Sequence, residues 1–185
     1  MTKEIKKWTT LSSEYLIRRP WLTARRDRAM LPDGRIHPEY YVLEYPDWVN
    51  VIALTPEGMM VMVRQYRYAL QMISTELCAG VIENGETPLQ AAKRELLEET
   101  GYTGGEWRQL MTIGQNPSTC NNLTHCFVAT GVQPTGTQHL DATEDVQMLL
   151  MKPEDVLGML VRDEMKQALM AAPLWRYFAE HNMVD

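Results

Sequence analysis

Between Arg94 and Tyr102 the chain reads RELLEETGY, which places Arg94, Glu95, Glu98 and Glu99 within six residues and follows them with Gly101. On a helix, positions i, i+3 and i+4 share a face, so the three carboxylates converge, and Arg94 stands one turn before Glu98, within ion-pair reach. The same composition also fits a solvated acidic face carrying one i,i+4 pair, which contributes only about 0.2–0.5 kcal/mol. Three like charges repel one another, however, and Glu98 and Glu99 would fall in the last turn, where the helix dipole disfavours anions. A hard divalent cation would offset both effects, because Mg²⁺ takes oxygen ligands and commonly sits between carboxylates and phosphates.

The elements that must hold these side chains can be read on either side. Thr87-Pro88-Leu89-Gln90 predicts a helix start, with the hydroxyl at the N-cap, proline at the first position and glutamine completing a capping box. Ala92, Leu96 and Tyr102, with Leu89 at the start, form its expected inner stripe, and Gly101 supplies a left-handed C-terminal cap. Upstream, VNVIALT (49–55) and MMVMVRQYRY (59–68) flank a Pro56-Glu57-Gly58 turn and read as central strands covered on both faces. Glu76 to Ala79 is expected as a further short strand. Downstream, strands are predicted at 107–113, 124–131 and 145–152, then helices at 153–161 and 163–180, the latter bent near Pro173. Before all of these, Trp21 to Tyr45 reads as two strand-like runs around Leu31-Pro32-Asp33-Gly34. A boundary near residue 47 is expected, with an N-terminal β region over 1–47 and the main domain over 48–185. The fold class is α/β: a mixed sheet between helical layers, plus a small antiparallel β appendage.

Composition excludes several classes. The chain has 185 residues, 45% of them hydrophobic, enough for one sizeable core. Apolar runs are short and 23% of residues are charged, so no membrane partner is expected. The opening stretch MTKEIKKWTTLSSEY has no apolar core segment and no small-residue cleavage site, so no signal peptide is expected. A net charge of −6 disfavours nucleic acid as a partner. Cys78, Cys120 and Cys126 form no CxxC pair and read as free thiols of a cytoplasmic protein. His125 and Cys126, adjacent on a strand, would point to opposite faces, which argues against zinc.

From Gly80 the chain runs G-x5-E-x7-R-E-U-x-E-E-x-G-U, where U is a bulky apolar residue, through Glu86 and Arg94 to Tyr102. This resembles the signature of the Nudix hydrolases, with an aromatic, Tyr102, at the last apolar position. The resemblance implies a Nudix-type α/β/α sandwich and a Mg²⁺-dependent enzyme, with Mn²⁺ a substitute, that cleaves a nucleoside diphosphate linked to another moiety. It assigns the metal to Glu95, Glu98, Glu99 and the carbonyl of Ala79, and makes Arg94 the partner that orients Glu98. Glu86 would fix the loop. Metal-bound glutamates are poor proton acceptors, and Glu144, ahead of Asp145 and Asp141 in the acidic loop DATED, matches the general base of ADP-ribose hydrolysing relatives.

VRQYRY (63–68) and ELCAGVIENGE (76–86) resemble the ADP-ribose pyrophosphatase and nucleotide-sugar branch, which typically has proline where this chain has Cys78. By that resemblance Arg67, and less closely Arg64, would contact phosphate; the two cannot both face one pocket from a strand. Pro117 has the spacing of a proline in such relatives, although a bland turn fits it equally. The branch further implies a homodimer whose N-terminal region crosses to the partner and completes the nucleoside site. Trp21, Arg25 and Arg26 are the candidates there, with core or interface packing the alternative for Trp21, and edge-strand packing the expectation for Tyr40 and Tyr41. The implied reaction is hydrolysis of ADP-ribose or a related nucleoside diphosphate sugar. GDP-mannose cleavage and a catalytically silent ligand sensor are the alternatives.

Overall fold

A computed structural model describes residues 4–140 and 145–184. The chain divides into two compact units, the first running to Pro46 and including Gly114–Asn122, the second comprising Asp47–Ile113 and the chain from Leu123 onward.

The first unit is an antiparallel sheet of three strands, β1 (Thr9–Arg19), β2 (Leu22–Met30) and β3 (Ile36–Glu44), in that order. The expected turn joins β2 to β3: Gly34 N–H donates to Leu31 O at 3.0 Å, and Gly34 takes φ +86°, which glycine adopts without strain. The sequence reading lacked β1. Its polar residues obscure any alternation, and it becomes a strand by pairing with β2 along its length. Trp21 consequently lies in the β1–β2 turn and not in a strand. Segment 114–122 joins this sheet, with Leu43 N–H donating to Thr119 O at 2.7 Å and Tyr40 Oη to Ser118 O at 2.7 Å.

The second unit is built on a seven-stranded sheet. Its path is β12 (Val146–Met151), β5 (Met60–Arg67), β4 (Trp48–Leu54), β10 (Leu123–Thr130) and β9 (Glu106–Gly114). β6 (Met72–Glu76) pairs with β5, and β7 (Cys78–Val81) with β4. β4 and β10 run parallel while β5 runs antiparallel to β4, β6 and β12, so the sheet is mixed. Two residues, β8 (Tyr102–Thr103), pair with β11 (Gln133–Pro134) beside it. The single strand expected at 76–79 is thus two strands: at Leu77 the chain leaves β5 and takes β4 as its partner.

Alternation along β4 and β5 feeds two cores. Val49, Val51, Val61 and Val63 pack with Ala91, Ala92 and Leu96 of α1 (Pro88–Thr100). Ile52, Met60 and Met62 pack with Val156 and Leu160 of α2 (Pro153–Val161) and with Leu174 and Phe178 of α3 (Ala168–Glu180). This is an α/β/α sandwich. No helix among the described residues is long and apolar enough to cross a membrane.

Helix α3 starts five residues later than the predicted 163, after a left-handed Asp163 at φ +57°. Inside it, Pro173 lacks the N–H that would bond to Leu169 O. The buried Asn50 of β4 fills that gap, its Nδ2 donating to Leu169 O at 2.7 Å. None of Cys78, Cys120 and Cys126 forms a disulfide among the described residues, and burial pushes the Cys126 thiol up to about 11.

Candidate active site

Helix α1 begins as its sequence dictates. Thr87 Oγ1 accepts from Gln90 N–H at 3.3 Å, Gln90 Oε1 accepts from Thr87 N–H at 2.8 Å, and Gly101 ends the helix at φ +72°. The buried positions are Ala91, Ala92, Glu95, Leu96, Glu99 and Thr100. Leu89, expected on the inner stripe, shares the face of Ala92 and Leu96 but stands in the first turn of the helix and is 37% exposed. Glu95 and Glu99 therefore occupy core positions of the helix, and Glu98 stands at its more exposed edge.

Arg94 organises the carboxylates. Its Nε and Nη2 donate to Glu86 at 2.8 and 3.0 Å, its Nη1 to Glu95 at 2.8 Å and Glu98 at 3.0 Å, and its Nη2 also to Val81 O at 2.9 Å. A guanidinium has five N–H donors, and five acceptors meet them here. Hydrogen bonding to Glu86, then to Glu95 and Glu98, holds the Arg94 pKa above its ordinary value. Arg94 in turn lowers that of Glu86. Glu86 also accepts from Glu83 N–H at 3.0 Å, so it ties the 81–86 loop to the helix.

Glu99 Oε2 accepts from Ala79 N–H at 3.0 Å, against β7. Glu95 lies over Gly80 so closely that a Cβ there would meet its carboxyl carbon at 2.0 Å. The glycine is thus a cradle that admits a carboxylate to the backbone. The donors assembled around it are all oxygens, which fits a hard divalent cation. Among the described residues no three acidic, histidine or cysteine side chains already converge as a metal cluster; Glu95 and Glu98 are both held by Arg94.

The two candidate phosphate arginines diverge as strand alternation requires. Arg67 donates from Nε to Glu76 Oε1 at 2.9 Å and from Nη2 to Glu76 Oε2. That bonding, with the charges of Glu76 and Glu99, raises its pKa. Arg64 reaches Thr75 Oγ1 at 3.3 Å and lines a separate groove with Tyr66, Ile73, Asp145 and Gln147. Asp141 and Glu144 lie outside the described residues.

The other candidates belong to the first unit. Trp21 is 84% exposed. Arg25 pairs with Asp27 at 3.1 Å and with Glu44; Arg26 lies between Glu14 at 2.6 Å and Glu39 at 2.9 Å, so carboxylates of the same sheet already neutralise both. Tyr41 is half exposed. Pro117 sits in a turn closed by Thr119 N–H and Cys120 N–H onto Asn116 O at 3.0 and 2.7 Å. Sequence reasoning did not single out Glu76 or Gln167, which meet beside Arg67. An acid at a strand end, just before the apolar Leu77, was the only local signal for Glu76, and Gln167 had none.

Comparison with known proteins agrees with this geometry. The NUDIX domain family matches residues 44–172, and the nucleoside diphosphate sugar hydrolase N-terminal domain matches residues 8–43. The chain is 32% identical over 139 residues to an ADP-ribose pyrophosphatase of Bacillus subtilis, covering 75% of each. It is 32% identical over 149 residues to a methanol dehydrogenase activator of Bacillus methanolicus, covering 80% of each. A GDP-mannose pyrophosphatase of Citrobacter koseri is 31% identical over 120 residues, covering 58% of this chain and 60% of its own. A crystal structure titled ADP compounds hydrolase shares the fold at a TM-score of 0.84 and 20% identity, over 99% of this chain and 100% of its own. From the signature helix, its carboxylate cradle and these matches, the chain belongs to the Nudix family and is a pyrophosphohydrolase of that family.

Proposed function

We propose that the chain hydrolyses the pyrophosphate of ADP-ribose or a related nucleoside diphosphate sugar, releasing a nucleoside monophosphate and a sugar phosphate. The observation that carries this reading is the cradle of Gly80, in which Glu95 and Glu99 are packed against backbone at positions a structural helix would fill with apolar residues. The relatives named for ADP-ribose and GDP-mannose cleavage support the substrate class.

Glu95, Glu98, Glu99 and the Ala79 carbonyl would hold Mg²⁺, or Mn²⁺ in its place. Bound there, such a cation would supply charge stabilisation to the pyrophosphate and acidity to a water. Arg94 keeps the carboxylates in register along the helix, and Arg67 offers its guanidinium to a phosphate oxygen. Glu144, in the acidic stretch 141–145 of the sequence, takes the proton of the attacking water. That water forms the new P–O bond while the bridging P–O bond breaks toward the departing phosphate.

The first unit, we infer further, crosses between two copies of the chain, with Trp21, Arg26 and Pro117 contributing to the nucleoside site. Its support is the apolar surface that β1 leaves exposed. Cysteines that form no disulfide among the described residues support a cytoplasmic setting.

The test is a panel of ADP-ribose, GDP-mannose and UDP-glucose, with phosphate release coupled to a phosphatase, run with Mg²⁺ and in excess chelator. Hydrolysis of ADP-ribose that chelator abolishes and Mg²⁺ or Mn²⁺ restores is the expected result. A preference for GDP-mannose would favour the second reading, and turnover undiminished by chelator would refute the metal assignment.

A further inference from the structure

Glu76 ends β6 with a side chain that is 0% exposed. Burying a carboxylate costs several kcal/mol unless its oxygens are met by donors. Two other elements provide them. Arg67, at the end of β5, donates through Nε and Nη2, one bond to each oxygen. Gln167, with its amide nitrogen turned inward, lies 2.9 Å from Oε2 and 3.1 Å from Oε1. Gln167 is the N-cap of α3, yet its side chain makes no capping bond. Its amide is given to Glu76 instead of to the helix it begins.

Arg67 differs from its partner in one respect. Glu76 is enclosed, whereas 37% of the Arg67 side chain is exposed, and Nη1 has no protein partner among the described residues. The charge of Glu99, on the carboxylate helix, reaches this same guanidinium. A buried ion pair adds little stability over an apolar pair of equal volume, so strand cohesion alone gives little reason for the arrangement. It does fix the plane of a partly exposed guanidinium whose Nη1 has no protein partner among the described residues.

We propose that Glu76 and Gln167 are positioning residues, clamping Arg67 through Nε and Nη2 so that Nη1 is presented to a phosphate oxygen of the substrate. The inference rests on the reading of Arg67 as the phosphate-facing arginine of a pyrophosphohydrolase. Gln167 acts at one remove: without its amide the carboxylate is free to rotate, and the guanidinium plane turns with it.

The experiment compares Gln167→Met, Glu76→Gln, Arg67→Lys and the double variant Arg67→Lys/Gln167→Met in steady-state hydrolysis of ADP-ribose with Mg²⁺. Binding of the non-hydrolysable α,β-methylene analogue is measured in parallel by calorimetry. Gln167→Met, a volume-conserving change at a half-buried site, should raise KM and the analogue Kd about fivefold, the loss of one weakened hydrogen bond to a charged group, with kcat nearly unchanged. Glu76→Gln should raise both further. In the Arg67→Lys background, Gln167→Met should add nothing, because the group it positions is gone. Wild-type KM and Kd in both Gln167→Met and Glu76→Gln, beside a raised KM in Arg67→Lys, would overturn the positioning role alone. Unchanged KM and Kd in Arg67→Lys would overturn the reading of Arg67 and the inference with it. A wild-type chain that binds the analogue but hydrolyses nothing would refute the activity while the Kd series still decides the clamp, and absence of both would overturn both.

Discussion

In the second unit β4 buries six of its seven residues and helices close over both faces of the sheet, so that even Glu76, Glu95 and Glu99 are withdrawn from solvent. In the first unit all eleven residues of β1 are exposed, among them Leu11, Tyr15, Leu16 and Ile17, each more than 40% accessible. Leu16 stands at a register shift between Tyr15 and Ile17, and β1 leaves it uncovered together with its apolar neighbours. The contrast teaches that the second unit has the core to hold charged groups in costly places, which chemistry requires. The first has surface to spare, which association requires. A three-stranded sheet of this kind has little independent stability without a face packed against something else.

Four experiments bear on that division of roles, in descending order of effect. If catalysis resides in the second unit, Glu144→Gln should lower kcat by roughly 10²–10⁴ while sparing metal and substrate affinity. Glu99→Gln should lower kcat and weaken Mn²⁺ binding as well, followed by titration of the paramagnetic ion. A Glu144→Gln enzyme with near-native kcat would return the proton-accepting role elsewhere. Next, Gly80→Ala should displace the Glu95 carboxyl it would overlap and reduce metal affinity about 10–100-fold. The helical circular dichroism should not change; native metal affinity would mean that the cradle is incidental.

The third test concerns the first unit. Light scattering of the full chain at micromolar concentration should give a dimer, and removal of residues 1–47 should give a monomer with weakened nucleotide affinity. A monomeric full chain, or a truncated one of full activity, would show that the exposed strand serves neither assembly nor substrate. The smallest effect is expected at the start of the carboxylate helix. Thr87→Ala removes one half of the capping box and should destabilise the protein by about 1 kcal/mol in denaturant melts, with activity intact.

Parts of this molecule were legible because the forces that make them are local. The start of α1 at Thr87, its end at Gly101 and the Pro32–Gly34 turn depend on contacts spanning a few residues, and they stand where the sequence predicts. The Arg94–Glu98 pair follows from helical spacing, which also put Glu95 and Glu99 on the same helix. The spacing that aligned Glu95 and Glu99 did not reveal that they lie on the buried side, because that depends on how α1 docks against the sheet. β1 was missed for a similar reason: its polar run acquires strand form only by pairing with β2. Leu77 switches strands, Asn50 serves a carbonyl freed by Pro173 across 119 residues of chain, and Gln167 abandons its own helix for Glu76. Short-range bonds write themselves into neighbouring residues, and on those the sequence alone determined a Nudix carboxylate helix. Which polar groups are buried, and which distant donors meet them, was decided only when the sheet and its two helical layers came together.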